Sequence, residues 1–441
     1  MRLGSKAAGP GRAAGWSALI RRTADRGGGV AGRQSPSPSQ FRVRTPAICS
    51  TSGAMPELPS SERKKRGMPL HQVSIESPGP TMKGCVFNFD VPMPEVPPSG
   101  ARIRVMCAGV CYRSKRSMSI NSGASLSSIG SDHSSCSNKG VRDTSLFPGF
   151  EVAGQIESFG ENVDPKCGLK VGDNVIVYPY IGCPEGYAEY VAVEDVQYLV
   201  KVPDEVPMPV ASMLPSGGLW AMNSVFTARQ YVEKLLEERG DKGKVNVLVV
   251  GTGGLALWAI RIGRHYFPEW TEGQAVRLTV AVLRDEGLQS ITEQEHQKVN
   301  IVQWSEDCYE TQLIERTINA CEGNVDIIID FAANPRSMNR SLKCLSKGGV
   351  IVIGAETAQR YVSRFESVAQ ASDQTIVPVE MGSLEQLHTL VHLIASKKVE
   401  PPPYNLFPSD KAEEVFMKLG RAKIHGRAIL HFDPIPDAPE T

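Results

Sequence analysis

The sequence lacks any apolar run close to the roughly 20 residues that a membrane-spanning helix needs, so no helical span is expected. It lacks a surplus of either charge. Lys and Arg number 48 against 48 Asp and Glu, and this formal net charge of zero argues against a nucleic-acid partner, which selects a basic surplus. It also lacks cysteine clusters. The ten cysteines are scattered, with no CxxC pair, which excludes a dense disulfide framework and favours free thiols in a reducing compartment. Acidic residues are almost missing from 1–54, where Asp25 stands alone among Arg, Ala, Gly and Ser. That composition fits a mitochondrial transit peptide. A disordered extension, or a leader upstream of a start at Met55, stays open beside it. A mitochondrial location is expected if the leader is used, and a cytoplasmic one otherwise.

What is present suits a soluble globular chain. With 441 residues it is too long for one ordinary core, so two domains are expected. From Pro69 to Val202 short β-branched stretches such as "ARIRVMCAGV", "EVAGQIESFG" and "DNVIVYPYI" end at or near Gly, Pro or Asp and read as strands. Between them "SKRSMSINSGASLSSIGSDHSSCSNKG" has no periodicity and reads as a solvated loop. After Pro207 helices and continuous Val/Ile/Leu strands alternate: "VNVLVVG", "GLALWAIRIGRHY", "VRLTVAVL", "DEGLQSITEQE", "VDIIIDFA", "PRSMNRSLKCL", "GGVIVIGA". That alternation predicts a parallel sheet covered on both faces.

Gly251-x-Gly253-x-x-Ala256 lies between the strand "VNVLVV" and a helix. Gly251 allows a tight turn, and Gly253 with Gly254 lets backbone amides approach a pyrophosphate. Ala256 permits close helix–strand packing. The pattern predicts a dinucleotide site. At the end of the next strand an acid would hold the ribose of NAD, but Leu283 and Arg284 stand there. A cation at that place favours the 2′-phosphate of NADP, so NADP leads NAD, with Asp285 two residues on keeping NAD open.

One acid sits where acids are costly. Glu151 in "SLFPGFEVAGQIESFG" is flanked by Phe, Gly and Val, and needs a cation, a metal or backbone amides as partner.

The order "AGVC", "PGFEVAG", "GYAEYV", "MLPSGGLWAMNSV", "VLVVGTGGLA", "KCLSKGGVIVIG", "GRAIL" resembles the medium-chain dehydrogenase/reductase superfamily, on the side of its zinc alcohol and polyol dehydrogenases. The resemblance covers about Pro69 to Phe432. It implies an α/β fold, with a GroES-like, β-rich substrate domain at 69–205 completed by 370–433. A Rossmann domain with a doubly wound parallel sheet at 206–369 interrupts it. In the resembling zinc enzymes the ligand positions map onto Cys111, Phe150 and Ser216, with Glu151 beside them. Only Cys111 is a competent ligand among the three, and catalytic zinc wants three from protein. No zinc is therefore expected. His133 and Cys136 offer donors, but no spacing demands them. The cysteine-rich structural lobe is absent, since "YIGCPEGYAEYV" carries only Cys183.

Hydride transfer to a carbonyl builds negative charge on oxygen that needs a metal or aimed donors. Tyr112, Arg113 and Ser216 map near the pocket and are the candidate catalytic residues. Each has a plainer role open: packing for Tyr112, a cofactor phosphate or Glu151 for Arg113, a helix cap for Ser216. The superfamily's zinc-free quinone and enoyl reductases, which use NADPH, are similar in lacking ligands. The expected function is a zinc-independent NAD(P)(H) oxidoreductase acting on a carbonyl, enone or quinone. Against it stands a catalytically silent protein that binds dinucleotide as a sensor or scaffold. A residual zinc alcohol dehydrogenase is the third reading. A homo-oligomer is implied by resemblance alone.

Overall fold

The computed structural model describes residues 71–77, 84–111, 149–240, 243–251, 253–267, 275–283, 299–305, 308–332, 334–421, 423–424 and 426–432. The leader at 1–54, the serine-rich stretch with His133 and Cys136, the helix expected in "DEGLQSITEQE", and Tyr112, Arg113 and Arg284 lie outside the described residues.

The first strands, β1 (His71–Glu76) and β2 (Val86–Pro92), form a two-stranded antiparallel ribbon. β3 (Ala101–Val110) starts a larger sheet and buries alternate residues, Ala101, Ile103 and Val105, as a half-covered strand should. β4 (Glu151–Phe159), β5 (Asn174–Val177), β6 (Tyr190–Val193) and β7 (Leu199–Lys201) join it with antiparallel pairings.

The helical part opens with α1 (Met208–Ser212), a π-helical turn at Leu214–Gly218, and the long α2 (Leu219–Arg239). β8 (Lys244–Val250) then leads into α3 (Gly254–Tyr266), β9 (Ala275–Val282) and β10 (Asn300–Gln303). α4 (Glu310–Ala320), β11 (Val325–Asp330), α5 (Pro335–Cys344), β12 (Leu345–Gly354), α6 (Ala355–Ala371) and β13 (Thr375–Val379) follow. These strands pair in parallel in the order β10-β9-β8-β11-β12-β13, the doubly wound order whose direction reverses between β8 and β11. β11 is buried at every position, which is why its sequence is VDIIID without polar alternation.

α7 (Leu384–Ala395), β14 (Tyr404–Pro408), α8 (Ala412–Gly420) and β15 (Arg427–His431) complete the chain. β15 returns to the first large sheet, antiparallel to β3, with β14 parallel outside it. The fold class is therefore the expected one, a GroES-like β-rich part and a Rossmann-type parallel sheet. The parallel sheet does reach past the expected limit at 369. α6 carries the chain back to β13, which pairs with β12 at the sheet edge, where Pro378 is tolerated because only one side is hydrogen-bonded. One buried apolar cluster runs from Cys107, Ile176 and Ile429 of the first sheet to Val247, Ile329 and Val352 of the second. The two sheets thus share a core, and the site described next lies along it.

At the far side of the parallel sheet an ion network anchors α4 and α5. Arg340, 3% exposed, donates to Glu310 at 2.7 Å, and Arg336 donates to the same carboxylate at 2.6 Å. The Arg340 guanidinium also lies 4.7 Å from the Trp304 ring centre. Hydrogen bonds from Arg340, aided by Arg336, hold the Glu310 carboxyl at about 2, below its usual 4.5. A depressed folded pKa contributes stability above the unfolded value and loses it as pH falls. Wild-type stability should thus fall between about 4.5 and about 2. Glu310→Gln should be less stable at pH 6 and show a shallower fall in that window. Denaturant unfolding across pH checks it, and parallel curves for the two proteins would contradict it.

Candidate active site

The phosphate turn is built as its residues allow. Val250 ends a buried strand, and Gly251 turns the chain at φ 152°, a conformation that side chains disfavour. The Gly251 N–H donates to the carbonyl of Ala281 at 3.0 Å, which ties the turn to the end of β9. A Cβ at position 251 would lie 3.4 Å from both the Ala256 and Phe331 Cβ atoms. Ala256 is buried, so α3 packs tightly on the strand it follows. Among the described residues, Gly253 has nothing within 4 Å of where a Cβ would be, so its backbone borders space that they leave open. Among the described residues no side chain caps α3, which leaves the amides of its first turn without a side-chain partner there.

Gly254 is small for a different reason. A Cβ there would sit 2.6 Å from Cδ of Arg427. Arg427 is the first residue of β15. Its N–H donates to the Pro403 carbonyl at 2.9 Å, and its neighbour Ala428 pairs with Val110, next to Cys111. Strand pairing thus carries one cation to the glycine turn of one sheet and to the strand ends of the other.

Glu151 finds its partners here. It is 1% exposed and faces Gly109 across the β3–β4 ladder. A Cβ on Gly109 would fall 2.0 Å from Oε2 of Glu151, so the glycine makes room for the carboxylate. Oε2 takes an ion-paired hydrogen bond from Nη2 of Arg427. Oε1 accepts from the Gly217 N–H at 3.1 Å and from the Cys111 thiol at 3.1 Å. Nη2 of Arg427 also donates to Cys111 Sγ at 2.9 Å. The acid, the thiol and the guanidinium thus form one bonded cluster, with the carboxylate fully buried and the other two largely so, beside buried Tyr187, whose hydroxyl donates to the Gly109 carbonyl at 3.5 Å.

Electrostatics follow from burial. Removal from water pushes the Cys111 thiol up to about 12, against the pull of Arg427, so it stays protonated at neutral pH and can donate to Glu151. Burial opposes the charge on Arg427, but Cys111 and Glu151 outweigh it and raise its pKa above the usual value. Burial lifts the Tyr187 phenol well above its ordinary range. Cys111 should accordingly resist alkylation by iodoacetamide at pH 7.5, while exposed Cys167 reacts first. Peptide mass spectrometry over time reads this, and labelling of Cys111 ahead of Cys167 would contradict it.

One atom of the cluster is left over. Nε of Arg427 is buried and, among the described residues, has no hydrogen-bond partner. The place of a Cβ on Gly254, in the first turn of α3, lies 3.7 Å from it.

Of the residues named from sequence, Gly251, Gly253, Gly254 and Ala256 form the turn together. Cys111 and Glu151 meet directly. Phe150 precedes Glu151, and Ser216 precedes Gly217, so the chain brings both to the cluster's edge. Ser216 lies within the π-helical turn, half-buried, and caps no helix. Arg427 was not among the predicted site residues. Its signal was one cation opening the apolar strand "RAILH" after Gly426, which turns at φ 79°.

Residues 97–204 match the sequence model of the alcohol dehydrogenase GroES-like domain, and residues 308–430 that of a zinc-binding dehydrogenase family. Between them these segments contain Cys111, Glu151 and Arg427. No curated protein matches the chain by sequence. Solved structures are similar in fold. AibC is 17% identical with a TM-score of 0.59, over 86% of this chain and 100% of its own. Acetophenone reductase from Geotrichum candidum, solved with NAD, is 16% identical with a TM-score of 0.56, over 83% of this chain and 98% of its own. The CurF ER cyclopropanase of curacin A biosynthesis is 19% identical with a TM-score of 0.54, over 82% of this chain and 100% of its own. The chain belongs to the medium-chain dehydrogenase/reductase superfamily of oxidoreductases.

Proposed function

We propose that the chain is a zinc-independent NAD(P)(H)-dependent oxidoreductase that acts on a carbonyl, enone or quinone. The observation that carries it is the double role of Arg427, which fills the Cys111–Glu151 site with one end and leaves Nε unpartnered beside the glycine turn.

Catalytic zinc does not fit these residues. Cys111 and Glu151 are two donors where three are wanted, and Phe150 supplies none. A guanidinium already bonds both donors, and a dication beside it would be repelled.

A dinucleotide fits. Its pyrophosphate would be held by the amides at Gly253 and Gly254 and by Nε of Arg427, which supplies the missing partner of a buried donor. When bound, the reduced nicotinamide supplies a hydride. Arg427 fixes the phosphate end while Glu151 and Cys111 hold Arg427 itself. Donors toward the charge that develops on the substrate oxygen are assigned to Ser216, Tyr112 and Arg113. An enone or quinone spreads that charge and asks less of them. NADP is favoured over NAD through Arg284.

The silent reading has its own observation. Cys111, Glu151 and Arg427 bond to one another, so the groups at the place of the zinc enzymes' site are engaged among themselves and none is turned toward a substrate. Turnover separates the two. NADPH oxidation should appear with at least one member of a panel of quinones, enones and aldehydes, and should survive a strong chelator. Saturable NADPH binding with no oxidation across the panel selects the sensor or scaffold, and activity abolished by chelation overturns zinc independence.

A further inference from the structure

Trp220 is an aromatic side chain that the dinucleotide reading has not used. It lies in the first turn of α2, three residues after Gly217, whose amide holds Glu151. Its indole lies against Gly354, the last residue of β12. A Cβ on Gly354 would be 2.4 Å from Cζ2, 3.1 Å from Cη2 and 3.4 Å from Cε2 of the ring. The glycine is thus what lets the ring sit on the strand's carboxyl end. The residue is half-buried, so part of it stays accessible.

Its position in the sheet gives this meaning. Ligands of doubly wound sheets bind at the carboxyl ends of the strands, across the point where strand order reverses. Here the reversal lies between β8 and β11. The phosphates belong at the N-terminus of α3, directly after β8. The adenosine ribose belongs at the end of β9, the strand that carries the ribose-reading residue. The other half of the dinucleotide therefore extends over β11 and β12, the strand end on which Trp220 lies.

We infer that Trp220 is the platform against which the nicotinamide ring packs, a positioning residue for the hydride donor. Flat aromatic rings gain from offset or edge contacts beyond their buried area, and an indole braced on glycine backbone loses little freedom in making one. The inference rests on the dinucleotide reading above.

The test compares two probes by calorimetric titration: NADPH, and 2′-phospho-ADP-ribose, which lacks the nicotinamide. Trp220→Ala should weaken NADPH roughly three- to tenfold and leave 2′-phospho-ADP-ribose unchanged. The unchanged probe also reports that the variant is folded. Trp220→Phe should keep NADPH within about twofold, since a smaller ring still packs. Gly354→Ala should push the indole away and weaken NADPH alone, as Trp220→Ala does. Equal effects on both probes, or none on either, would overturn the platform while leaving the dinucleotide site standing. Tighter NADPH binding by Trp220→Ala would show that the indole blocks the ring's place, and would overturn it too. Failure of the wild-type protein to bind either probe overturns both the platform and the reading beneath it.

Discussion

Arg427→Met is expected to lower the unfolding free energy by about 3–5 kcal/mol, because it leaves Glu151 charged, buried and without its cation. The carboxylate keeps two hydrogen bonds, from Gly217 and Cys111, but neither brings a positive charge. Glu151→Gln should destabilise through the converse fault, a buried guanidinium that has lost its counter-charge. The double variant should be more stable than the sum of the two losses allows, because it removes both charges together. The measurement is a double-mutant cycle by denaturant unfolding. Additive losses, or a loss under about 1 kcal/mol for Arg427→Met, would mean that the pair is no stronger than a surface ion pair.

Gly253→Val should do the reverse, with stability near wild type and cofactor binding largely lost. A Cβ at 253 meets nothing within 4 Å among the described residues, and the residue's φ of −101° is open to any side chain, so their packing has no objection. A phosphate approaching the amides would meet the new methyls. Loss of one or two charge-assisted hydrogen bonds corresponds to roughly ten- to hundredfold in affinity. Thermal unfolding and NADPH titration on the same sample read both quantities. An unchanged affinity would place the phosphate elsewhere, and a large loss of stability would mean that the glycine serves packing alone.

These two variants separate what the sequence shows from what only the fold shows. The turn at Gly251–Ala256 is local, with strand, glycines and helix within some twenty residues, so spacing alone locates it. The parallel sheet is legible for a similar reason: strands buried on both faces carry unbroken apolar runs, such as the three isoleucines of "VDIIID", where a half-covered strand would alternate. Glu151 announces by its neighbours that it needs a partner, and it has both kinds foreseen, an arginine and a backbone amide. Which arginine was not legible. Arg427 lies 276 residues away, and only the pairing of β15 on β3 delivers it. Trp220 on Gly354 is hidden for the same reason, since helix and strand meet through the fold and share no local pattern. The limit of the parallel sheet was missed because an edge strand with Pro378 carries a weak strand signal.

The zinc-site resemblance gains a physical reading from the same cluster. In the proposed account a positive charge between Cys111 and Glu151 is kept, but a guanidinium supplies it. Its long side chain also reaches the glycine turn, so the cluster and the phosphate site share one residue. Arg427→Met should therefore lose cofactor affinity as well as stability, an association that a purely structural ion pair would not produce.

The most direct measurement is a titration of the purified full chain with NADPH and with NADH, followed by fluorescence in the presence of a strong chelator. The account predicts saturable binding of both, tighter for NADPH, undiminished by the chelator. Absence of saturable binding to either nucleotide, or binding that disappears when metal is removed, would contradict it.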